Sequence, residues 1–245
     1  MKKLIVIIFA IVISSCSKDG STSSGDDTGK NGSIARFAIK GDYMYTIDVN
    51  YVRIFSLVGH QEPQLVQSVK VAYGLETIFI YGDNIYLGAI DGVYILNIND
   101  PSHPHQTQKI EHHISCDPVV VQGNFAYSTQ RVNATGCGTI WHMSALAVYD
   151  VSDPNNPALS KEISMNSPFG LAVEGNWLFV CDGGILVYDV TDPANPVEAA
   201  FTVCPEARDI ITMYPYMVVS TKTEFKIFNY ADPLYMYELG SLTLN

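Results

Sequence analysis

A short unit recurs along the chain and limits the folds open to it more than any other feature. Its pattern is a glycine, a polar residue, any residue, an apolar residue and an aromatic residue. Four copies start at Gly41, Gly82, Gly123 and Gly175, and a degenerate fifth copy starts at Tyr214. The starting positions are therefore spaced by 41, 41, 52 and 39 residues. A period near forty residues is typical of folds that repeat one supersecondary unit.

Each copy has the composition of four antiparallel strands. The Gly-Asp or Gly-Asn pair supplies the positive-φ positions of a tight hairpin turn. A six-residue β-branched and aromatic run follows, and in the four later copies an Asp-Pro pair comes after it. Proline cannot donate to a sheet ladder, so it ends the third strand and turns the chain toward a fourth. In the fourth copy we predict strands at 169–174, 177–181, 185–190 and 197–203.

The repeats predict an all-β chain that forms a single five-bladed β-propeller over residues 34–245, with four antiparallel strands per blade. The predicted blades are about 34–71, 72–114, 115–165, 166–205 and 206–245. A sandwich of short hairpins is the alternative, but it does not require so regular a period.

Two runs carry a family resemblance, LAVYDVSDPNNP at 146–157 and ILVYDVTDPANP at 185–196. Each follows a Gly-Asn hairpin, and each resembles an LVIVD repeat, a β-propeller repeat of secreted or surface proteins. The resemblance implies a propeller outside the cytoplasm. It implies no particular chemistry, because one fold carries many functions.

The first residues have the three parts of a signal peptide. Lys2 and Lys3 are followed by ten apolar residues at 4–13, which are too few to span a bilayer as a helix. The sequence Ile13-Ser14-Ser15-Cys16 resembles the lipobox of bacterial lipoproteins. The resemblance implies cleavage after residue 15, a lipid on Cys16, and anchoring to the outer membrane. An ordinary secretory signal with a chance cysteine is the alternative.

Residues 16–33 comprise the predicted lipidated cysteine and a polar stretch, which we predict to be a flexible tether. Without residues 1–15 the chain has 12 basic residues against 25 acidic ones, a formal charge of −13. Such a surface repels phosphate backbones, so nucleic acid is excluded as a partner and lipid must supply the membrane attachment.

The third copy is about twelve residues longer than its neighbours, and the excess lies between Tyr127 and Leu146. An insertion in one repeat marks a loop that is free to specialise. Arg131, Trp141 and His142 in this loop are candidate contact residues for a partner. The alternative is a loop without function whose Trp141 packs on its own blade.

Polar residues also stand where the innermost strands begin, at Glu76, Asp117 and Arg208, and these are candidate ligand contacts at the channel mouth. Paired carboxylates there would permit acid–base chemistry on a glycan. The sequence has no G-x-S-x-G, H-E-x-x-H or P-loop motif. We therefore predict no catalytic residue, no metal and no cofactor, and leave enzymatic activity as the less favoured alternative.

Four further cysteines, Cys116, Cys137, Cys181 and Cys204, are candidates for disulfides in an oxidising compartment. We favour a Cys116–Cys137 bridge and, after it, a Cys181–Cys204 bridge. Free, buried thiols are the alternative. A zinc site is disfavoured because no C-x-x-C spacing is present.

These features predict a monomeric, membrane-anchored, extracytoplasmic module that binds a protein or a glycan without catalysis. Two alternatives remain: a carbohydrate-active enzyme with acids at the channel mouth, and a structural component of an envelope complex.

Overall fold

The computed structural model describes residues 32–59, 62–111, 118–132 and 143–244. Over these ranges twenty strands form five four-stranded sheets. Blade 1 holds β1 (Phe37–Lys40), β2 (Tyr43–Ile47), β3 (Tyr51–Ser56) and β4 (Gln64–Lys70). Blade 2 holds β5 (Leu75–Tyr81), β6 (Asn84–Ala89), β7 (Gly92–Asn97) and β8 (His105–Glu111). Blade 3 holds β9 (Val119–Gln122), β10 (Phe125–Gln130), β11 (Ala145–Asp150) and β12 (Ala158–Ser164).

Blade 4 holds β13 (Leu171–Glu174), β14 (Trp177–Cys181), β15 (Ile185–Asp189) and β16 (Val197–Thr202). Blade 5 holds β17 (Asp209–Met213), β18 (Tyr216–Ser220), β19 (Glu224–Asn229) and β20 (Tyr237–Thr243). A three-residue 3-10 helix, Pro233–Tyr235, precedes β20. Strand order in every sheet follows the chain, and the first strands of successive blades contact one another from blade 1 to blade 5. The first strands therefore line the axis, and the predicted five-bladed propeller is confirmed.

The recurring glycines have the predicted backbone conformation. Gly41, Gly82, Gly123 and Gly175 have φ between 52° and 60°, each between the first and second strands of its blade. An L-residue with a side chain is strained in this region, whereas glycine is not. Each glycine thus fixes the first hairpin, and its recurrence has a structural cause.

The recurring Asp-Pro pairs also serve the backbone. Each aspartate accepts the N–H two residues further on, at 3.0 to 3.2 Å, in Asp100, Asp153, Asp192 and Asp232. Asp189 accepts the Thr191 N–H in the same way at 2.8 Å. Hydrogen bonds from Thr191 hold the pKa of Asp189 below its usual range. These acidic side chains are structural parts of the turns.

Apolar clusters fill the four seams between successive blades from blade 1 to blade 5. The aromatic residue of the short unit is at the centre of each: Tyr45, Tyr86, Tyr127 and Phe179, all at most 2% exposed. The Tyr45 hydroxyl donates to the Pro101 carbonyl at 2.8 Å, and the Tyr127 hydroxyl donates to the Pro193 carbonyl at 3.1 Å. Each bond joins one blade to the Asp-Pro turn of the next. Burial raises the pKa of Tyr127 to about 12, so the hydroxyl keeps its proton.

We expect Tyr45→Phe to lower the free energy of unfolding by about 1 kcal/mol, since it removes one buried hydrogen bond and keeps the ring. Denaturant unfolding of the full chain measures the change. Tyr73→Phe is the matched control, because Tyr73 is 71% exposed. Equal stability of the two variants would show that the hydroxyl bond does not hold the blades together.

The seam between blade 5 and blade 1 is built differently. Among the described residues no apolar cluster joins these two blades. On the face of blade 5 away from blade 4, large apolar side chains are 38 to 68% exposed, namely Ile211, Met213, Phe225, Ile227 and Leu242. On the opposite side of the seam, Phe37, Ile39 and Leu65 of blade 1 are 44 to 58% exposed. In the part of the chain that the structure describes, apolar clusters thus pack four seams, and the seam between blades 5 and 1 lacks one; we call it the open seam.

The segment before β1 links several blades at the axis. The Ser33 hydroxyl donates to Asp209 Oδ1 at 2.8 Å and accepts the Leu171 N–H at 2.8 Å. The Ala35 carbonyl accepts the Ile78 N–H at 3.0 Å. Blades 5, 4 and 2 are therefore joined by two residues of one segment, Ser33 and Ala35. Ser33, the last residue of the predicted tether, is fully buried at these contacts.

Candidate functional site

A pocket of about 530 Å³ lies on the axis, on the face where the first strands begin. All five blades, or the segments that lead into them, contribute to its lining: Ile34, Arg36, Glu76, Thr77, Pro118, Arg131, Phe169, Arg208, Ser220 and Thr221. Most of these residues stand just before or at the start of an innermost strand. Propeller symmetry places such positions around one opening, which explains why residues so distant in sequence meet here.

Two arginines stack on one aromatic ring in this pocket. The guanidinium carbon of Arg131 lies 4.2 Å from the centre of the Phe169 ring, and that of Arg208 lies 4.0 Å from it. These are cation–π distances. Two positive charges therefore contact the same aromatic side chain, Phe169, in the axial pocket.

The electrostatics of the pocket reflect this crowding. Burial lowers the pKa of Arg131, the neighbouring Arg208 lowers it further, and Glu76 opposes the change. Arg36 is the third guanidinium of the lining, and it donates to the Leu75 carbonyl at 3.5 Å. Three cationic side chains thus stand against one carboxylate in the described lining.

A buried carboxylate, Asp209, follows the pocket residue Arg208 in the chain. Asp209 is 8% exposed and accepts both the N–H and the hydroxyl of Ser33. Burial raises the pKa of Asp209 to about 6, and the hydrogen bonds from Ser33 oppose that rise. Asp209 connects the N-terminal segment to blade 5, and it is not part of the lining.

The structure places three of the six residues predicted to bind a partner or ligand, Glu76, Arg131 and Arg208, in this one pocket. Asp117, Trp141 and His142 lie outside the described residues. Sequence reasoning did not select Arg36 or Phe169 as contacts. Arg36 precedes the first strand of its blade by one residue and Phe169 by two. Aligning the repeats on their first strands would therefore have identified both as residues near the axial opening.

Two of the cysteine candidates are described. Cys181 and Cys204 are buried in the seam between blades 4 and 5, and the structure records both as free thiols in place of the predicted bridge. Burial in this apolar cluster raises the pKa of the Cys181 thiol, which keeps it protonated and unreactive. Cys116 and Cys137 lie outside the described residues. Within the described part of the chain, no cluster of three or more metal-ligating side chains occurs.

The fold and the axial pocket define the chain as a five-bladed β-propeller. Residues 169–201, which form most of blade 4, match the LVIVD repeat family, so the resemblance seen in the sequence is confirmed there. No curated protein matches the chain in sequence. No helix in the described residues is long and apolar enough to cross a membrane.

Solved propellers are similar in structure. The periplasmic gluconolactonase PpgL of Pseudomonas aeruginosa superposes with a TM-score of 0.63 and 11% identity, over 84% of this chain and 68% of that one. A Lactobacillus plantarum protein gives a TM-score of 0.64 at 11% identity, over 82% and 68%. BamB from Moraxella catarrhalis gives 0.54 at 11% identity, over 84% and 60%. At these identities the likeness establishes the fold alone.

Proposed function

We propose that the chain is a lipid-anchored, extracytoplasmic module that binds a protein or glycan, without catalysis, through the pocket-bearing face. The observation that carries this proposal is the axial pocket, whose lining joins three guanidinium groups and an aromatic ring from separate repeats. The residues that recur in the repeats, namely the glycines, the Asp-Pro pairs and the aromatic residues, form the hairpins, the turns and the seams between blades. The lining differs from blade to blade, as expected of side chains that contact a ligand and do not serve the fold.

The lipid anchor is proposed from the resemblance of residues 13–16 to a lipobox. We expect Cys16→Ser to abolish incorporation of radiolabelled palmitate and to release the protein from the membrane fraction, because Cys16 supplies the thiol that is acylated. Cys204→Ser is the matched control, since Cys204 is buried in the propeller. Membrane retention of an unlabelled Cys16→Ser variant would contradict lipid anchoring.

The pocket chemistry favours binding over hydrolysis. A glycosidase of the usual kind needs two carboxyl groups about 5 to 10 Å apart. The described lining offers Glu76 as its one carboxylate, beside three arginines. PpgL is called a gluconolactonase, but its 11% identity to this chain transfers no activity.

A second candidate is a structural role in an envelope complex. The exposed apolar side chains of blades 1 and 5 favour it, because contiguous apolar surface on a folded domain marks an interaction site. This surface and the axial pocket are different places, so separate variants test the two functions.

The test is a pull-down with the full chain, purified in detergent, against immobilised glycans and candidate envelope proteins. One variant carries Arg131→Gln and Arg208→Gln in the pocket lining, and a second carries Ile211→Ser and Ile227→Ser on the exposed apolar face of blade 5. Loss of the partner with the first variant alone supports the pocket-bearing face. Loss with the second alone supports the assembly role. Equal recovery by all three proteins contradicts both.

A further inference from the structure

The axial pocket carries more positive than negative side chains, although the chain as a whole is acidic. The whole sequence has a formal charge of −11, yet the described lining has three guanidinium groups and one carboxylate. Arg131, Arg208 and Glu76 are half-buried and Arg36 is exposed, so one half-buried guanidinium has no described counter-charge, which is costly unless an opposite charge joins it. The pocket is therefore complementary to an anion.

The two stacked arginines have unused hydrogen-bonding capacity. Within the described residues, neither the Arg131 nor the Arg208 guanidinium has a hydrogen-bond or ion-pair partner; each contacts the Phe169 ring. Stacking uses the flat face of a guanidinium and leaves its in-plane N–H donors available. Those donors match the two oxygens of a carboxylate in a bidentate arrangement.

The remaining lining defines what else the ligand carries. Glu76, Thr77 and Ser220 add polar groups to the same pocket, and Ile34 and Pro118 add apolar surface. A sugar ring presents both hydroxyl groups and apolar C–H faces. A volume of about 530 Å³ falls within the range usual for small-ligand sites.

We infer that the axial pocket binds an acidic sugar residue, a free or glycan-borne uronate, with its carboxylate held by Arg131 and Arg208. The inference rests on the proposed binding function and names its ligand class. The guanidinium pair fixes the charged end, and the polar lining contacts the ring hydroxyls. The fixed stack on Phe169 restricts both arginines before the ligand arrives, so little side-chain freedom is lost on binding.

Titration calorimetry of the full chain in detergent tests this, with glucuronate and galacturonate as ligands and glucose, galactose and inorganic phosphate as comparisons. We expect a uronate to bind, the neutral sugars to bind at least about tenfold more weakly, and salt to weaken uronate binding. Phosphate is expected to bind at least about tenfold more weakly than the uronate, since it lacks the ring. Equal affinity for glucose or for phosphate, or no uronate binding, would overturn the inference.

Variants connect the binding to the arginine pair. Arg208→Gln and Arg131→Gln should each weaken uronate binding at least about tenfold, and Arg208→Lys should fall between Arg208→Gln and the parent because an ammonium cannot bind bidentately. Arg53→Gln is the control, because Arg53 pairs with Asp48 outside the pocket. Unchanged affinity in both glutamine variants would refute the site. A partner still recovered in the pull-down while uronates fail to bind would leave the binding module standing and remove only its ligand class.

Discussion

Gly170→Ala should lower the free energy of unfolding by about 3 kcal/mol, because the added methyl group meets backbone. Its Cβ would lie 2.7 Å from the Arg208 carbonyl oxygen and 2.8 Å from Asp209 Cα, and it would also collide with the Asp209 carboxylate. The Gly170 N–H donates to the same Arg208 carbonyl at 2.7 Å. Blades 4 and 5 thus approach too closely here for any side chain, and neither backbone can move without breaking that bond.

Denaturant unfolding of the full chain gives the difference directly, with a fall in Tm of roughly 6–12 °C as a second readout. Gly240→Ala is the matched control, since a Cβ at Gly240 has no atom within 4 Å. We expect its stability to stay within about 0.5 kcal/mol of the parent. Similar stabilities for the two variants would show that the seam can open to accept a methyl group.

Asp209 should make stability depend on pH in a sense opposite to that of the turn aspartates, whose pKa values are lowered. Its pKa is about 6 in the folded chain because it is buried, against about 3.9 when unfolded. The folded state therefore binds the proton more tightly. The stabilisation from protonation is complete below about pH 4 and is lost as the pH rises through about 6. The loss amounts to about 2–3 kcal/mol.

Asp209→Asn removes this titration and leaves the other acids of the chain in place. We therefore expect the stability of the parent relative to Asp209→Asn to fall by about 2–3 kcal/mol between pH 4 and pH 7.5. Comparison of the two proteins cancels the exposed turn aspartates, whose lowered pKa values act in the opposite direction. Parallel stability curves for the two proteins would contradict a raised pKa for Asp209.

Strand positions were readily predicted because each repeat encodes them locally. In blade 4 the second strand was predicted at 177–181 and is Trp177–Cys181, and the first was predicted at 169–174 and is Leu171–Glu174. Phe169 and Gly170 still bond to Cys181 of the second strand, but the Gly170 N–H donates to the Arg208 carbonyl of blade 5 just before the strand begins. A contact with another repeat has no signature in the repeat's own sequence.

The open seam was not predicted, because alternation of apolar residues is the same whether the next blade covers them or not. Ile211 and Ile227 have the pattern of core residues but are 38% and 44% exposed. The stacked pair on Phe169 was likewise missed as a unit. Arg131, Phe169 and Arg208 belong to three different blades. Only the circular arrangement of the blades around the axis brings both arginines to the Phe169 side chain.

The N-terminal segment determines which face of the propeller lies nearest the residues that precede it. Ser33 is bonded to Asp209 and Leu171 at the starts of two innermost strands, and Ile34 lines the axial pocket, so the chain enters the propeller on the pocket side. A flexible tether of the length predicted from the sequence would span roughly 20–25 Å. If Cys16 is lipidated as proposed, the tether joins the propeller on its pocket side, so the pocket lies on the face nearest the attachment point. The pocket is then reached through the space between the propeller and the membrane, so slender chains reach it more readily than bulky globular partners do.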